Sequence, residues 1–124
     1  MGDIIYPEES YKIIGICMEV HRILGKGLSE IVYKDAIEYE FKCNGINYSR
    51  ENKYEVLYKD TILNHSYVAD FVAYDKILIE IKAVDKLIEI HKKQTLNYLG
   101  ISKLHLGLLI NFGEASLKYE RVLL

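Results

Sequence analysis

The sequence predicts an α/β protein, a mixed β-sheet of four to five strands flanked by helices in the order α-α-β-β-β-α-β-β. Three observations carry this. Apolar residues recur at three- and four-residue intervals up to Asn44-Gly45, the period drops to two from Ile46, and two nearly continuous apolar runs, ILIEIKAV and LHLGLLINF, are separated by another helical stretch. The length of 124 residues fits a single domain over 1-124; such a chain buries roughly two thirds of its unfolded surface and leaves no room for a second core.

The first helix starts at Pro7 with Glu8 and Glu9. Ile13, Ile14, Cys17, Met18, His21 and Leu24 form its inward stripe until Gly25 ends it. Gly25-Lys26-Gly27 connects to a second helix, which Ser29 is placed to cap and in which Val32, Tyr33, Ala36, Ile37, Glu40 and Phe41 keep the helical period. Lacking the G-x-x-x-x-G-K-[ST] pattern, the connector is not a phosphate loop.

Strands follow. Tyr54, Val56 and Tyr58 alternate with Glu55, Leu57 and Lys59, Lys59-Asp60 turns, and a second strand runs through Tyr67 to Ala73. Tyr74-Asp75-Lys76 turns into ILIEIKAV, whose apolarity fits a central strand covered on both faces. Asp85 is placed to cap a third helix reaching Tyr98 and stopping at Gly100. A strand, a helix and a strand in succession imply a crossover that brings the LHLGLLINF strand parallel into the same sheet, with LKYERVLL as an edge strand.

Composition narrows the class. Half the residues are hydrophobic, 27% are charged and only Pro7 is proline, which fits a folded domain without a disordered tract. The apolar runs fall short of the roughly 20 residues of a membrane span, and MGDIIYPEES lacks a signal-peptide pattern, so a cytoplasmic protein without a membrane partner is expected. Cys17 and Cys43 are isolated from each other and from any His cluster, which speaks against structural zinc. The formal net charge is −2, but residues 76–105 carry six lysines against three acids, so this stretch is +3 and the remainder −5.

The stretch YVADFVAYDKILIEIKAV holds charges where a buried strand is expected. A turn centred on Asp75 sets Asp70 opposite Glu80 on one face with Lys82, while Ile77, Ile79 and Ile81 fill the other. Directly opposed like charges destabilise a sheet and burying them adds several kcal/mol, so a neutralising partner is required. Two are open. Lys82, a diagonal neighbour of Asp70, would make a structural ion network; a divalent cation on the two carboxylates would make a magnesium site, with Lys82 beside the attacking water or the developing phosphate charge.

An acid on one strand and E-x-K on the next, with a helix before and after, resembles the PD-(D/E)XK nuclease superfamily, with Asp70, Glu80 and Lys82 at its motif positions. The superfamily's proline is replaced by Ala69. Gly27-Leu28-Ser29-Glu30-Ile31-Val32-Tyr33 further resembles the signature of the small GxxExxY proteins, with "VHRILGKGLSE", "ADF", "IEIKAV", "H-x-x-Q-x-x-x-Y-L" and "GLLINFG" extending the likeness from Tyr11 to Gly113.

The resemblance implies a restriction-endonuclease-like core and a nuclease using Mg2+ or Mn2+. Asp70, Glu80, the backbone carbonyl of Ile81 and Glu30 would hold the metal; Lys82 would activate or stabilise, and the Gln94 amide would orient Lys82, the water or a phosphate. Without the resemblance, Glu30 reads as a carboxylate favourably placed at a helix N-terminus and Gln94 as an ordinary exposed helical glutamine. His91 shares a helical stripe with Gln94 and Tyr98; with Tyr98, Lys92 and Lys93 it is a candidate nucleic-acid contact, against a plain packed or solvent-facing role. Tyr33 is expected to pack beneath the site, and most of the eleven tyrosines to serve the core or its rim. One site per domain would require a homodimer to cut both strands of a duplex. The alternative is a noncatalytic nucleic-acid-binding or protein-interaction module that keeps the fold and its ion network.

Overall fold

The computed structural model of the protein describes residues 4–124. Eight elements follow in the expected order: α1 (Pro7–Leu24), α2 (Glu30–Cys43), β1 (Tyr48–Tyr58), β2 (Thr61–Ala73), β3 (Ile77–Lys82), α3 (Glu89–Ser102), β4 (Leu106–Asn111) and β5 (Lys118–Leu123). The strands form one mixed sheet in the order β1-β2-β3-β4-β5. β3 lies at its centre, antiparallel to β2 and parallel to β4, with α3 making the crossover. The structure thus has the restriction-endonuclease-like arrangement of a mixed five-strand sheet between helices.

Alternating side chains of the central strands feed two cores. Ile77, Ile79 and Ile81 of β3 join Leu106, Leu108 and Ile110 of β4 against α1 and α2. Leu78 and Leu109 pack on the other face against Leu99 of α3. Burial on both faces explains why these strands read as unbroken apolar runs.

The inward stripe of α1 is rotated from the expected one: Ile13, Ile14, Ile16, Cys17, Val20 and His21 are buried, while Met18 and Leu24 face out. On α2 the buried set is Tyr33, Lys34, Ile37 and Phe41, and Val32 is exposed. Ser29 occupies the expected N-cap position of α2, although its hydroxyl makes no capping bond.

The third helix departs most from expectation. It begins at Glu89, not at Asp85, because the side chain of Asn111 takes both backbone groups of Val84, accepting its N–H at 3.0 Å and donating to its carbonyl at 2.9 Å. Residues 83–88 are thereby tied to the end of β4. The cap comes instead from His91, whose Nδ1 accepts the Ile88 N–H at 3.0 Å. Gly100 lies inside the helix, which ends at Lys103 in the left-handed conformation at φ 67°. Gly113 secures the same connector: a Cβ there would collide with the backbone of Val84.

Candidate active site

Between β2 and β3 the backbone ladder pairs Ala73 with Ile77, Val72 with Leu78 and Phe71 with Ile79. This is the register expected from a turn at Asp75, and its next step brings Asp70 to Glu80. There the side chains replace the ladder. Glu80 Oε2 accepts the Asp70 N–H at 2.9 Å, and Asp70 Oδ2 accepts the Ile81 N–H at 2.7 Å. The Asp70 carboxylate therefore lies in the seam where the two strands part. The N–H and C=O of one strand residue point the same way, so the Ile81 carbonyl faces this seam too.

The electrostatics are those of two acids held together. Glu80 is only 5% exposed; burial and then the neighbouring charge of Asp70 push its carboxyl up to about 8. Its second oxygen, Oε1, has no hydrogen-bond partner among the described residues. Two carboxyl groups held together, one with a free oxygen, and an adjacent backbone carbonyl form a hard-oxygen donor set of the kind that divalent cations take. Among the described residues no three acidic, His or Cys side chains are grouped closely enough to hold a metal by themselves, so water or substrate oxygens would have to complete a shell, as magnesium commonly requires.

The counter-ion is not the lysine anticipated from spacing. Lys82 makes no ion pair among the described residues, and its ammonium donates to Gln94 Oε1 at 3.2 Å. Instead Lys34, reaching in from α2, lies 3.0 Å from Asp70 Oδ1 and 3.0 Å from Glu51 Oε1. Burial works against its ammonium, but the bonds to Glu51 and Asp70 outweigh burial and raise its pKa above the ordinary lysine value. The Lys34 bond in turn lowers the Glu51 carboxyl.

Glu51 sits at a break in the other ladder of β2. Arg50 pairs with Phe71 and Asn52 with Ala69, leaving Glu51 across from Asp70 in the left-handed region at φ 57°. A non-glycine residue there carries roughly 1–2 kcal/mol of strain. Both ladders of β2 are thus interrupted at Asp70.

The structure brings Asp70, Glu80, the Ile81 backbone, Lys82 and Gln94 together. Tyr98 belongs with them: burial first, then the charges of Glu80 and Asp70, raise its hydroxyl pKa. Lys92 and Lys93 are exposed on α3. His91 is engaged as the α3 cap. Glu30 is exposed in the first turn of α2, and among the described residues its carboxylate makes no hydrogen bond or ion pair. Its loop is fixed by Tyr33, which is fully buried and stacked on Phe112, and whose hydroxyl donates to the Gly25 carbonyl at 2.6 Å and accepts the Leu28 N–H at 3.2 Å. Tyr33 thus packs in the core against Phe112 and holds the Gly25–Leu28 connector.

Lys34 and Glu51 went unforeseen. Lys34, Ile37 and Phe41 are spaced by three and four, so a lysine on the core stripe of α2 was the available signal. Nothing local in YSRENKYEV marks Glu51.

A family model for the PD-(D/E)XK nuclease superfamily matches residues 7–122. No curated protein matches the chain. Among solved structures it is similar to the crystal structure of SSO0001, at 22% sequence identity and a TM-score of 0.59. That likeness covers 95% of this chain and 59% of the other, and it is one of fold.

Proposed function

The chain belongs to the PD-(D/E)XK nuclease superfamily, and from that membership we propose a divalent-metal-dependent nuclease that hydrolyses phosphodiester bonds in nucleic acid. The observation that carries the proposal is the reciprocal bonding of Asp70 and Glu80 at the parting of β2 and β3, with Lys82 on the next outward position of β3. In this reading Asp70, Glu80 and the Ile81 carbonyl hold Mg2+ or Mn2+, and Glu30 assists through water. The bound ion supplies Lewis-acid polarisation of the phosphate and a more acidic water.

The chain's own residues supply the rest. Lys82, oriented by Gln94, offers its ammonium to the attacking water or to the charge developing on phosphorus. Tyr98, Lys92, Lys93 and His91 lie on α3, where the strand of a nucleic acid would pass. The stretch 27–33 supports the finer placement among GxxExxY proteins. A single domain over 1–124 carries one such site, so duplex cutting would use a homodimer. The exposed Tyr11 and Met18 of α1 give that pairing apolar surface. A cytoplasmic setting is part of this reading; among the described residues no helix is long and apolar enough to cross a membrane.

A panel of labelled DNA and RNA, single-stranded, duplex and branched, incubated with Mn2+ beside the Asp70→Asn variant tests the proposal. Cleavage by the unmodified protein, absent from the variant, is the expected result. Metal binding or nucleic-acid binding with every substrate left intact would favour the noncatalytic module instead.

A further inference from the structure

We propose that Lys34 is a positioning residue that holds the place of positive charge at Asp70 until a divalent cation arrives, and that Glu51 is the perch to which it then withdraws. The inference rests on the metal-dependent reading above. Its basis is the three-way contact itself: one ammonium at 3.0 Å from each of two carboxylates on adjacent strands.

The two acids are not equivalent. Asp70 is enclosed, with a side chain 19% exposed and its other oxygen taken by the Ile81 N–H, whereas the Glu51 side chain is 52% exposed and has no other bond among the described residues. A cation using Asp70 meets the Lys34 charge at close range. Glu51 offers that charge a partner it already touches, nearer to solvent, so the ammonium can leave Asp70 without being stranded. The left-handed backbone of Glu51, directly across from Asp70, aims its carboxylate at this one lysine. A surface ion pair would not need such a conformation.

Titration calorimetry with Mn2+ on the full chain tests the inference through a double-mutant cycle, with urea unfolding to verify folding. Lys34→Met, which keeps the aliphatic stem, is expected to bind Mn2+ about tenfold more tightly, because a like charge has gone. Glu51→Gln, an exposed change with little bearing on folding, is expected to bind severalfold more weakly, because Lys34 then has Asp70 alone. In Lys34→Met the Glu51→Gln change is expected to lose most of its effect. Unchanged or weaker binding by Lys34→Met, or a Glu51→Gln effect of equal size in both backgrounds, overturns the inference while the metal site stands. If Lys34→Met does not fold, Glu51→Gln alone decides, and unaltered affinity overturns it. No Mn2+ binding by either the unmodified protein or Lys34→Met overturns the metal reading and this inference together.

Discussion

Asp70 and Glu80 complete each other's hydrogen bonding: the Glu80 carboxylate accepts the Asp70 N–H at 2.9 Å, and the Asp70 carboxylate accepts the N–H of the residue after Glu80 at 2.7 Å. Side chains thus close the last two rungs between β2 and β3, leaving the strands free to part around the carboxylates. The arrangement separates two roles of Asp70 that substitution can distinguish. Asp70→Asn keeps an acceptor oxygen for the Ile81 N–H, whereas Asp70→Ala leaves that donor without a partner, at about 1–3 kcal/mol. Both lose the Lys34 ion pair and both are expected to lose Mn2+-dependent cleavage. Urea unfolding is expected to place Asp70→Ala below Asp70→Asn by that margin, and equal stabilities would show that the seam does not depend on the Asp70 carboxylate.

The stability of the metal-free protein is expected to fall as pH rises from about 4.5 through about 8. Burial and the Asp70 charge raise the Glu80 carboxyl from 4.5 to about 8 in the folded chain. Over that interval the folded state binds more protons than the unfolded one, so stability declines as pH rises. The contribution is complete below the unfolded value and gone once pH passes through the folded one. Glu80→Gln, neutral at every pH, removes this slope and is expected to match or exceed the unmodified protein at pH 9. Urea midpoints at pH 6, 7.5 and 9 for the two proteins check this; parallel curves would show Glu80 to be ionised throughout.

Register was the most legible feature of the sequence. The turn residues Tyr74-Asp75-Lys76 fix the pairing of Phe71 with Ile79, and one further step along both strands brings Asp70 to Glu80, where a side-chain bond takes over from the ladder. Gln94 came from the resemblance, which left its partner open among Lys82, water and phosphate; helical spacing grouped it only with His91 and Tyr98, and the structure sets it beside Lys82. The start of α3 was not legible, since Asn111, 27 positions beyond Val84, decides it through a side-chain clamp that no local pattern records. Lys34 was half legible: its place on the core stripe was visible, but its partners come from strands 17 and 36 positions away. The left-handed Glu51 carries no sequence signal, because glutamate ordinarily marks nothing of the kind.

Lys82 and Gln94 form an exposed pair, so their removal is expected to affect turnover and not folding. The Lys82 ammonium donates to Gln94 Oε1 at 3.2 Å. Lys82→Ala is expected to retain Mn2+ binding and to lose cleavage by about 10²-fold or more. Gln94→Leu, which removes only the orienting acceptor, is expected to lose about tenfold, and Gln94→Glu to recover part of that loss. Melting of all three is expected within about 0.5 kcal/mol of the unmodified protein. Undiminished cleavage by Lys82→Ala would remove the lysine from the chemistry.

The strain at Glu51 can be read by the sign of a stability difference. Glu51→Ala and Glu51→Gly both delete the contact with Lys34, so what distinguishes them is the backbone at φ 57°. Alanine retains the left-handed penalty of roughly 1–2 kcal/mol, while glycine adopts that conformation freely and gives back part of the gain through its more flexible unfolded chain. Glu51→Gly is therefore expected to be more stable than Glu51→Ala by about 1 kcal/mol. At Lys53, two positions along β1 and paired regularly with Val68, the order should reverse, because glycine inside an extended strand is worse than alanine by roughly 0.5–1 kcal/mol. Urea unfolding of the four variants measures both signs. The same order at both positions would mean that the backbone at residue 51 is ordinary strand, with no strain stored opposite Asp70.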